Sequence, residues 1–267
     1  PDGHNLVLVD GTGPRKDEHR WHDTFVADRF ASSYFLDTVD TQGTYDYTGV
    51  RYGGTDSNCT DIITGLPCNV SPPNDTVTNV EVKRSFYYPK GLGPLMDQEY
   101  LIIVDEVRST SSPPALHDYG LLLHGPTTAF TRDGAAYAWK TVNEAGVTVT
   151  LAGYTVATKP IAYSTRLWYH FPTSEDRLEH TRLAMQVEDA SSVVYLTVLY
   201  PYREGMAPPR FATLGGGTGS LGIELEVGST VDHILANPSH GQMALDGVET
   251  DAWTAFTRLR DGKLEKV

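Results

Sequence analysis

Histidine is the side chain in this sequence best suited to proton transfer or metal binding near neutral pH, and the 267 residues contain nine of them. His19 and His22 are three residues apart, a spacing that brings two imidazoles together only on a helical turn. The charged segment around them is predicted to be a loop, so no metal pair is expected there. His117 and His124 bracket an apolar run and would lie on opposite faces of a regular strand. We interpret both, with Tyr119, as core or cross-strand residues that do not share one ligand.

Sequence motifs identify no catalytic base, acid or nucleophile. Gly-x-Ser-x-Gly, His-Glu-x-x-His and Walker sequences are all absent. The glycine-rich run 215–220 lacks the lysine of a phosphate loop and precedes a strand pattern, so it is predicted to be an interstrand loop. The acidic segment 37–46 has the wrong spacing for a calcium hand. A hydrolase that uses two of the 34 acidic residues stays open as an alternative, but no spacing selects a pair.

The two cysteines, Cys59 and Cys68, lie in a polar region at 52–79 that is rich in Gly, Pro, Asn and Thr. A disulfide closing this loop of about ten residues would contribute roughly 2–3 kcal/mol. It would indicate an extracytoplasmic protein, either periplasmic or secreted. Three Asn-x-Ser/Thr sequons occur in the same region: Asn58, Asn69 and Asn74. The alternative is a pair of free thiols in a polar loop whose composition produces sequons by chance.

The formal net charge of −13 argues against a general nucleic-acid-binding protein, because phosphate binding requires clustered Lys and Arg. No apolar run reaches the length of about 18 residues that a membrane helix needs, so neither nucleic acid nor membrane is an expected partner.

Hydrophobic periodicity predicts strands along the whole chain. In the run 221–227, apolar residues alternate with acidic ones over its second half, which is the pattern of a half-buried strand. Eight short β-branched or aromatic runs share this character: 6–9, 77–82, 100–107, 121–124, 147–151, 183–187, 193–200 and 221–227. Turn sequences separate them, and no segment has a clear apolar stripe of helical period. We therefore predict a single antiparallel β-sandwich domain over 1–267, with the region 52–79 as a loop insertion.

Four segments, taken in order, resemble the heparinase II/III-like polysaccharide lyases. They are residues 3–14, 82–107, 117–125 and 231–247. The first reads G-H-N-L-V-L-V-D-G-T-G-P and is similar to the family's H-N-T-hydrophobic-x-V-D-G-x-G. The second contains R-S-F-Y-Y and Y-L-I-I-V-D-E-V, similar to its R-S-hydrophobic and Y-hydrophobic-V-V-D-E strands. The third, H-D-Y-G-L-L-L-H-G, resembles H-x-Y-x-W-x-L-H, and the fourth, V-D-H-I-L followed by D-G, resembles the C-terminal strands.

The resemblance implies an antiparallel β-supersandwich of the galactose-mutarotase-like kind, with few or no helices, normally preceded by an (α/α) toroid. Members cleave uronate-containing polysaccharides by β-elimination. The uronate carboxylate is neutralised, a Tyr or His base removes the C5 proton, and an acid protonates the O4 leaving group. We therefore expect the C-terminal portion of a longer chain, with a toroid as partner domain and an alginate- or glycosaminoglycan-like polysaccharide as substrate.

Of the family's functional residues, only His4 carries over, as the third ligand of a zinc ion whose other ligands lie outside this sequence. The alternative is a histidine at a strand start that bonds a neighbouring loop. No residue is assigned as base or acid, so the fragment alone is expected to be inactive. The rival function is a non-catalytic carbohydrate-binding or structural β-sandwich module.

Two further sets of residues receive predictions. Three tyrosines precede or enter the loop insertion and are candidates for the rim of a sugar cleft: Tyr45, Tyr47 and Tyr52. Because Tyr is common here, each is equally interpretable as an ordinary surface residue. Arg84, Asp105 and Glu106 are expected to pair across strands rather than to contact substrate.

Overall fold

The computed structural model describes Asn5 and residues 7–10, 26–32, 36–48, 76–89, 100–170, 178–215, 220–238, 241–245 and 248–266. Every regular element in these ranges is a β-strand, which confirms the predicted all-β antiparallel fold. Over the same ranges, no helix has the length and apolar character needed to cross a membrane.

The strands in this part of the chain are numbered in chain order. They are β1 (Val7–Val9), β2 (Val26–Ser32), β3 (Leu36–Thr48), β4 (Thr76–Pro89), β5 (Leu101–Ser109), β6 (His117–His124), β7 (Phe130–Asp133), β8 (Ala136–Val142), β9 (Thr148–Ala157), β10 (Ala162–His170), β11 (Leu178–Ala190), β12 (Ser192–Arg203), β13 (Arg210–Leu214), β14 (Leu221–Val227), β15 (Thr230–Ala236), β16 (Met243–Leu245), β17 (Val248–Thr250), β18 (Thr254–Arg260) and β19 (Lys263–Lys266).

These strands form three main antiparallel sheets. The small sheet has the order β1-β6-β11-β10, the central sheet has the order β2-β3-β4-β5-β12-β9-β8-β7, and the outer sheet has the order β13-β14-β15-β18-β19. β16 and β17 form a separate hairpin. All eight runs predicted from periodicity lie within or overlap strands, and the glycine-rich run falls between the paired strands β13 and β14.

Strands β4, β5 and β12 of the central sheet have buried side chains on both faces, because each of these faces packs against another sheet. One face meets the small sheet in a cluster that includes Val82, Tyr195 and Leu121. The opposite face meets the outer sheet in a second cluster that includes Leu196 and Ile234. Alternation along β12 explains this arrangement, since successive side chains point to opposite faces. The result is a three-layer sandwich with two apolar cores.

Large aromatic side chains in the central sheet pack over glycines. Tyr137 on β8 pairs with Gly153 on β9, and a Cβ atom at Gly153 would lie 2.1 Å from the Tyr137 ring. Gly125, just after β6, is covered in the same way by Trp139. Glycine is needed at both positions because any side chain would occupy the space that the ring fills.

The predicted loop insertion falls between β3 and β4, which pair directly. β4 begins at Thr76, so residues 77–79, which fall in both the predicted insertion and the predicted strand run 77–82, lie in a strand. Residues 49–75, with Cys59, Cys68 and the three sequons, lie outside the described residues.

Candidate functional site

Asn5 connects the start of the small sheet to the central sheet. Its backbone oxygen accepts a hydrogen bond from Arg84 Nη1 at 2.5 Å, and its side-chain Oδ1 accepts one from the backbone N–H of His124 at 2.6 Å. One residue thereby fixes the segment before β1 against both β4 and the end of β6. His4 precedes it in the chain but lies outside the described residues.

Arg84 is itself oriented by a buried carboxylate. Its Nε and Nη2 donate to the two oxygens of Asp105 at 2.5 and 3.1 Å, and the Asp105 side chain is 1% exposed. A bidentate, charge-assisted pair of this kind fixes the plane of the guanidinium. Arg84 pairs with Asp105 and Lys83 with Glu106 in the β4–β5 register, and Lys83 Nζ lies 3.5 Å from Glu106. The predicted cross-strand pairing of Arg84, Asp105 and Glu106 is therefore confirmed.

His124 contacts a second histidine from a distant part of the chain. Its Nδ1 lies 2.9 Å from His180 Nε2, with the ring centroids 5.1 Å apart. The β6–β11 register places Arg182 directly opposite His124, so His180 is its diagonal neighbour on the same face. Two neutral imidazoles at this distance require one ring to donate its N–H and the other to accept.

An aromatic and a cationic side chain complete this face of the small sheet. Trp168 on β10 pairs with His180. Its ring meets that of His124 edge-on, with the ring centroids 6.1 Å apart. The Arg182 guanidinium lies over the Trp168 ring, 4.9 Å from its centroid, in a cation–π contact. We call His124, Trp168, His180 and Arg182 the histidine patch. All four are half-buried, so each presents part of its surface to solvent.

The histidine patch combines two chemical capacities. A hydrogen-bonded imidazole pair can share a proton between its two facing nitrogens. An arginine fork with an aromatic face suits a planar oxyanion attached to a sugar ring. Among the residues that the structure describes, no three His, Cys, Asp or Glu side chains are grouped to hold a metal ion. The described part of the sandwich therefore does not form a complete zinc ligand set.

His117 lies at the other end of β6 and belongs to a separate network. Its Nδ1 contacts Asp10 Oδ2 at 2.8 Å, and Asp10 Oδ1 accepts the backbone N–H of Asp118 at 2.8 Å. Asp10 adopts a positive φ of 50°, a conformation typical of Asp and Asn in turns. Tyr119, beside this network, is fully buried, and burial followed by the charge of Asp10 raises its pKa to about 12. His117 and His124 thus have separate partners, as predicted.

The tyrosines predicted to line a sugar cleft lie on strand β3 or outside the described residues. Tyr45 pairs with Val80 and Tyr47 with Val77, with a register shift between them. Their backbones form strand β3 rather than the start of a loop. Tyr52 lies outside the described residues.

A buried polar cluster joins the central and outer sheets. Arg258 Nε donates to Asp232 Oδ1 at 2.6 Å, a second guanidinium nitrogen donates to Asp232 Oδ2, and Tyr100 Oη donates to Asp232 Oδ2 at 2.8 Å. Burial and then the Asp232 charge raise the pKa of Tyr100 well above its ordinary value. Burial alone would lower the pKa of Arg258, but its hydrogen bond and charge interaction with Asp232 raise it. Because every member is paired inside the protein, this cluster is structural.

Sequence reasoning missed His180, Trp168 and Arg182. No predicted run covers Trp168 on β10 or the start of β11, where His180 and Arg182 lie and polar residues weaken the apolar pattern. His180 is 56 residues from His124, a separation that gives no local spacing signal. The signal present in the sequence is the alternation of His180, Arg182 and Ala184 on one face of a strand, which becomes informative only with the register.

Solved structures share this fold. No protein-family model and no curated protein matches the sequence. A heparinase III structure matches over 96% of this chain and 30% of its own, with a TM-score of 0.54 and 14% identity. The heparan sulfate lyase HepC from Pedobacter heparinus matches over 88% of this chain and 30% of its own, with a TM-score of 0.54 and 10% identity. The chain spans about a third of the length of these proteins, and it has the β-sandwich fold found in heparinase III and heparan sulfate lyase structures.

Proposed function

We propose that this chain is the β-sandwich part of a polysaccharide lyase that cleaves a uronate-containing polysaccharide by β-elimination. The observation that supports this most directly is the histidine patch, which lies at the strand end that Asn5 ties to the central sheet. The similarity to heparinase III supports a lyase-related domain. Together they favour a saccharide-facing surface on the small sheet.

The chemistry of β-elimination matches the side chains on this surface. Removal of the uronate C5 proton requires stabilisation of the negative charge that develops at the carboxylate. Arg182 supplies a fixed positive charge, and its contact with Trp168 orients the guanidinium plane. The His124–His180 pair lies beside it and can hold a proton at the Nδ1–Nε2 contact. The base and acid that act on the sugar are proposed to come from an (α/α) toroid in the same protein, which would also be the partner domain.

Zinc is a further part of the proposal, with His4 as one ligand. Asn5 is held at both its backbone oxygen and its side chain, so the residue before it is attached to a fixed point. The remaining ligands would come from residues outside those described. Metal analysis of the full-length protein and its His4→Ala variant tests this, since an unchanged zinc content would exclude His4 as a ligand.

We also propose that the protein is extracytoplasmic and that Cys59 and Cys68 form a disulfide. Both rest on the polar, sequon-containing region of the sequence. Mass spectrometry of the native protein with and without reduction would detect the bond, and two free thiols would contradict it.

The test of the lyase activity uses the full-length protein and the 267-residue chain side by side. Each is incubated with oligomannuronate and with heparan sulfate oligosaccharides while the absorbance of unsaturated uronate is followed. We expect turnover of one substrate by the full-length protein and none by the chain alone. Binding of both proteins to saccharide without any turnover would instead support the carbohydrate-binding module.

A further inference from the structure

Strand β10 forms an edge of the small sheet, with a described strand on one side only. It pairs with β11 along its length and stands last in the strand order of the sheet. With nine residues, it is the longest of the edge strands that the structure describes. An edge strand presents a row of backbone N–H and C=O groups that its own sheet does not pair, and such a row is a template for another strand.

Side chains of β10 are exposed even on the face that is directed at the core. Thr165 pairs with Leu183, which is 0% exposed, yet Thr165 itself is exposed. Leu167 lies on the same face, two residues further along, and is 48% exposed. Around these two residues the core ends at β11, so β10 extends beyond it with a large apolar side chain in solvent. Covering that side chain is favourable.

The edge strand of the outer sheet is built differently. β19 has four residues, K-L-E-K, with a lysine at each end. Short edges and edge lysines both oppose pairing with another chain. The sequence of β10, A-Y-S-T-R-L-W-Y-H, contains no lysine and no acidic residue. Because β10 is both longer and free of lysine, it is better suited than β19 to accept a further strand.

A second copy of β10 is complementary to this edge. A two-fold axis perpendicular to the sheet makes the two strands antiparallel and keeps corresponding faces together. Opposed residues must then share a face, so the axis passes through a residue. An axis at Arg166 would oppose two guanidinium groups, which is unfavourable. An axis at Thr165 instead places each Arg166 opposite Ser164 of the other copy, and each Leu167 opposite Tyr163 of the other copy.

We infer that two copies of this chain associate by antiparallel pairing of β10 with β10, centred on Thr165. The two four-stranded small sheets then become one continuous sheet of eight strands. Leu167 leaves solvent, and the two threonines at the axis form a cross-strand pair of a stabilising kind. Because the axis is perpendicular to the sheet, the two histidine patches lie on the same face of the joined sheet. The association uses a strand edge and does not depend on the proposed function.

Sedimentation equilibrium of the 267-residue chain tests this inference. The chain is studied at about 1 to 100 μM, since weak protein association has dissociation constants in this range. A reducing agent is present, so that disulfides between chains do not contribute. We expect the mean mass to rise with concentration from 29.3 kDa towards about twice that value.

Lysine substitutions at two equally exposed leucines locate the interface. Leu167 on β10 and Leu264 on β19 are both 48% exposed, and both lie on edge strands. Leu167→Lys should raise the dissociation constant at least about tenfold, because it removes an apolar contact and adds two like charges at the interface. Leu264→Lys, the matched control, should leave the dissociation constant unchanged. Circular dichroism verifies that each variant is folded.

A pair of variants at Ser164 tests the register. Ser164 is exposed, so its replacement should not affect folding. Ser164→Glu places a carboxylate opposite Arg166 of the other copy at two symmetric positions and should tighten association about threefold to tenfold. Ser164→Lys places a like charge there and should weaken association by a similar factor. An effect of charge sign at this position is expected only if β10 pairs with itself in this register.

Four results would overturn the inference. They are a mass of 29.3 kDa at every concentration, equal effects of Leu167→Lys and Leu264→Lys, equal association of the two Ser164 variants, and a monomer whose amides at 163–167 exchange slowly with solvent. The last result would show that another segment of the same chain covers the edge.

Discussion

Replacement of Arg258 by Met should destabilise the contact between the central and outer sheets. Arg258 and Asp232 are cross-strand partners on β18 and β15, and both side chains are 2% exposed. Methionine preserves much of the length of the side chain but removes every donor. Asp232 would then keep Tyr100 as its donor within this cluster while remaining inside the core between the sheets.

The expected loss of stability follows from leaving a buried charge without its counter-charge. Removal of one partner from a buried ion pair costs about 3–5 kcal/mol, a large part of the roughly 5–15 kcal/mol that stabilises a folded domain. In a domain of somewhat smaller size, each kcal/mol of lost stability lowers the thermal unfolding midpoint by about 2–4 °C. The midpoint of Arg258→Met should therefore fall by roughly 6–20 °C. The double variant Asp232→Leu with Arg258→Met removes both charges and should be more stable than Arg258→Met alone.

Urea unfolding followed by circular dichroism measures both free energies. In the double variant, the Tyr100 hydroxyl no longer has Asp232 as its acceptor. The double variant should therefore still be less stable than the unchanged protein, by about 1–3 kcal/mol. A loss below about 1 kcal/mol in Arg258→Met would show that the pair behaves as an exposed one. A double variant no more stable than the single one would refute the argument that an uncompensated charge is the cause.

Three further predictions concern the site and its support. Asp105→Asn should weaken the hold on Arg84 and lower stability by about 1–3 kcal/mol, and hydrogen exchange at the His124 amide, which bonds to Asn5, should become faster. Gly153→Ala should cost about 1–3 kcal/mol in urea unfolding, because its Cβ would meet the ring of Tyr137 at 2.1 Å. Burial, with a smaller effect of Asp10, raises the pKa of Tyr119 to about 12. Because the pKa of Tyr119 in the folded protein exceeds the usual tyrosine value, the neutral side chain contributes fully to the stability of the fold below about pH 10. This contribution is lost as the pH rises through 12.

Each of these predictions has a matched control. Glu81→Gln removes a carboxylate from the exposed pair with Arg108 and should change stability by less than about 1 kcal/mol. Gly120→Ala places a Cβ 3.9 Å from Leu8, an ordinary contact, and should be tolerated. Tyr119→Phe should flatten the decline of the thermal midpoint between pH 10 and 12. Equal effects in a variant and its control would contradict the corresponding reasoning.

The strands that sequence analysis found are those with a strong apolar pattern. The run 221–227 has alternating apolar and acidic residues and forms β14, and the aromatic run 193–200 lies within β12. β3 was not predicted because its sequence, LDTVDTQGTYDYT, is dominated by Thr and Asp and has no regular apolar alternation. Its strand conformation follows from pairing with β4, a long-range interaction that overrides weak local preference.

The candidate site shows the same limit of sequence reasoning. The cross-strand pair of Arg84 and Asp105 was predictable because both lie in strands with recognisable patterns. The contact between His124 and His180 was not, since it depends on the exact register of β6 and β11 over a long sequence separation. The connection through Asn5 likewise depends on how the chain enters β1. Asn5 lies in the segment 3–14 that resembles the lyases, and its two hydrogen bonds are visible only in the structure.

Amide-resolved NMR titration of the 267-residue chain with a mannuronate or heparin tetrasaccharide at pH 5.5 tests the central claim most directly. That claim is that the small sheet carries the saccharide-facing surface. We predict that the largest shift changes occur at His124, His180, Arg182 and the Trp168 indole N–H, with little change on the outer sheet. Shift changes confined to β13–β19, or none at saturating saccharide, would contradict it.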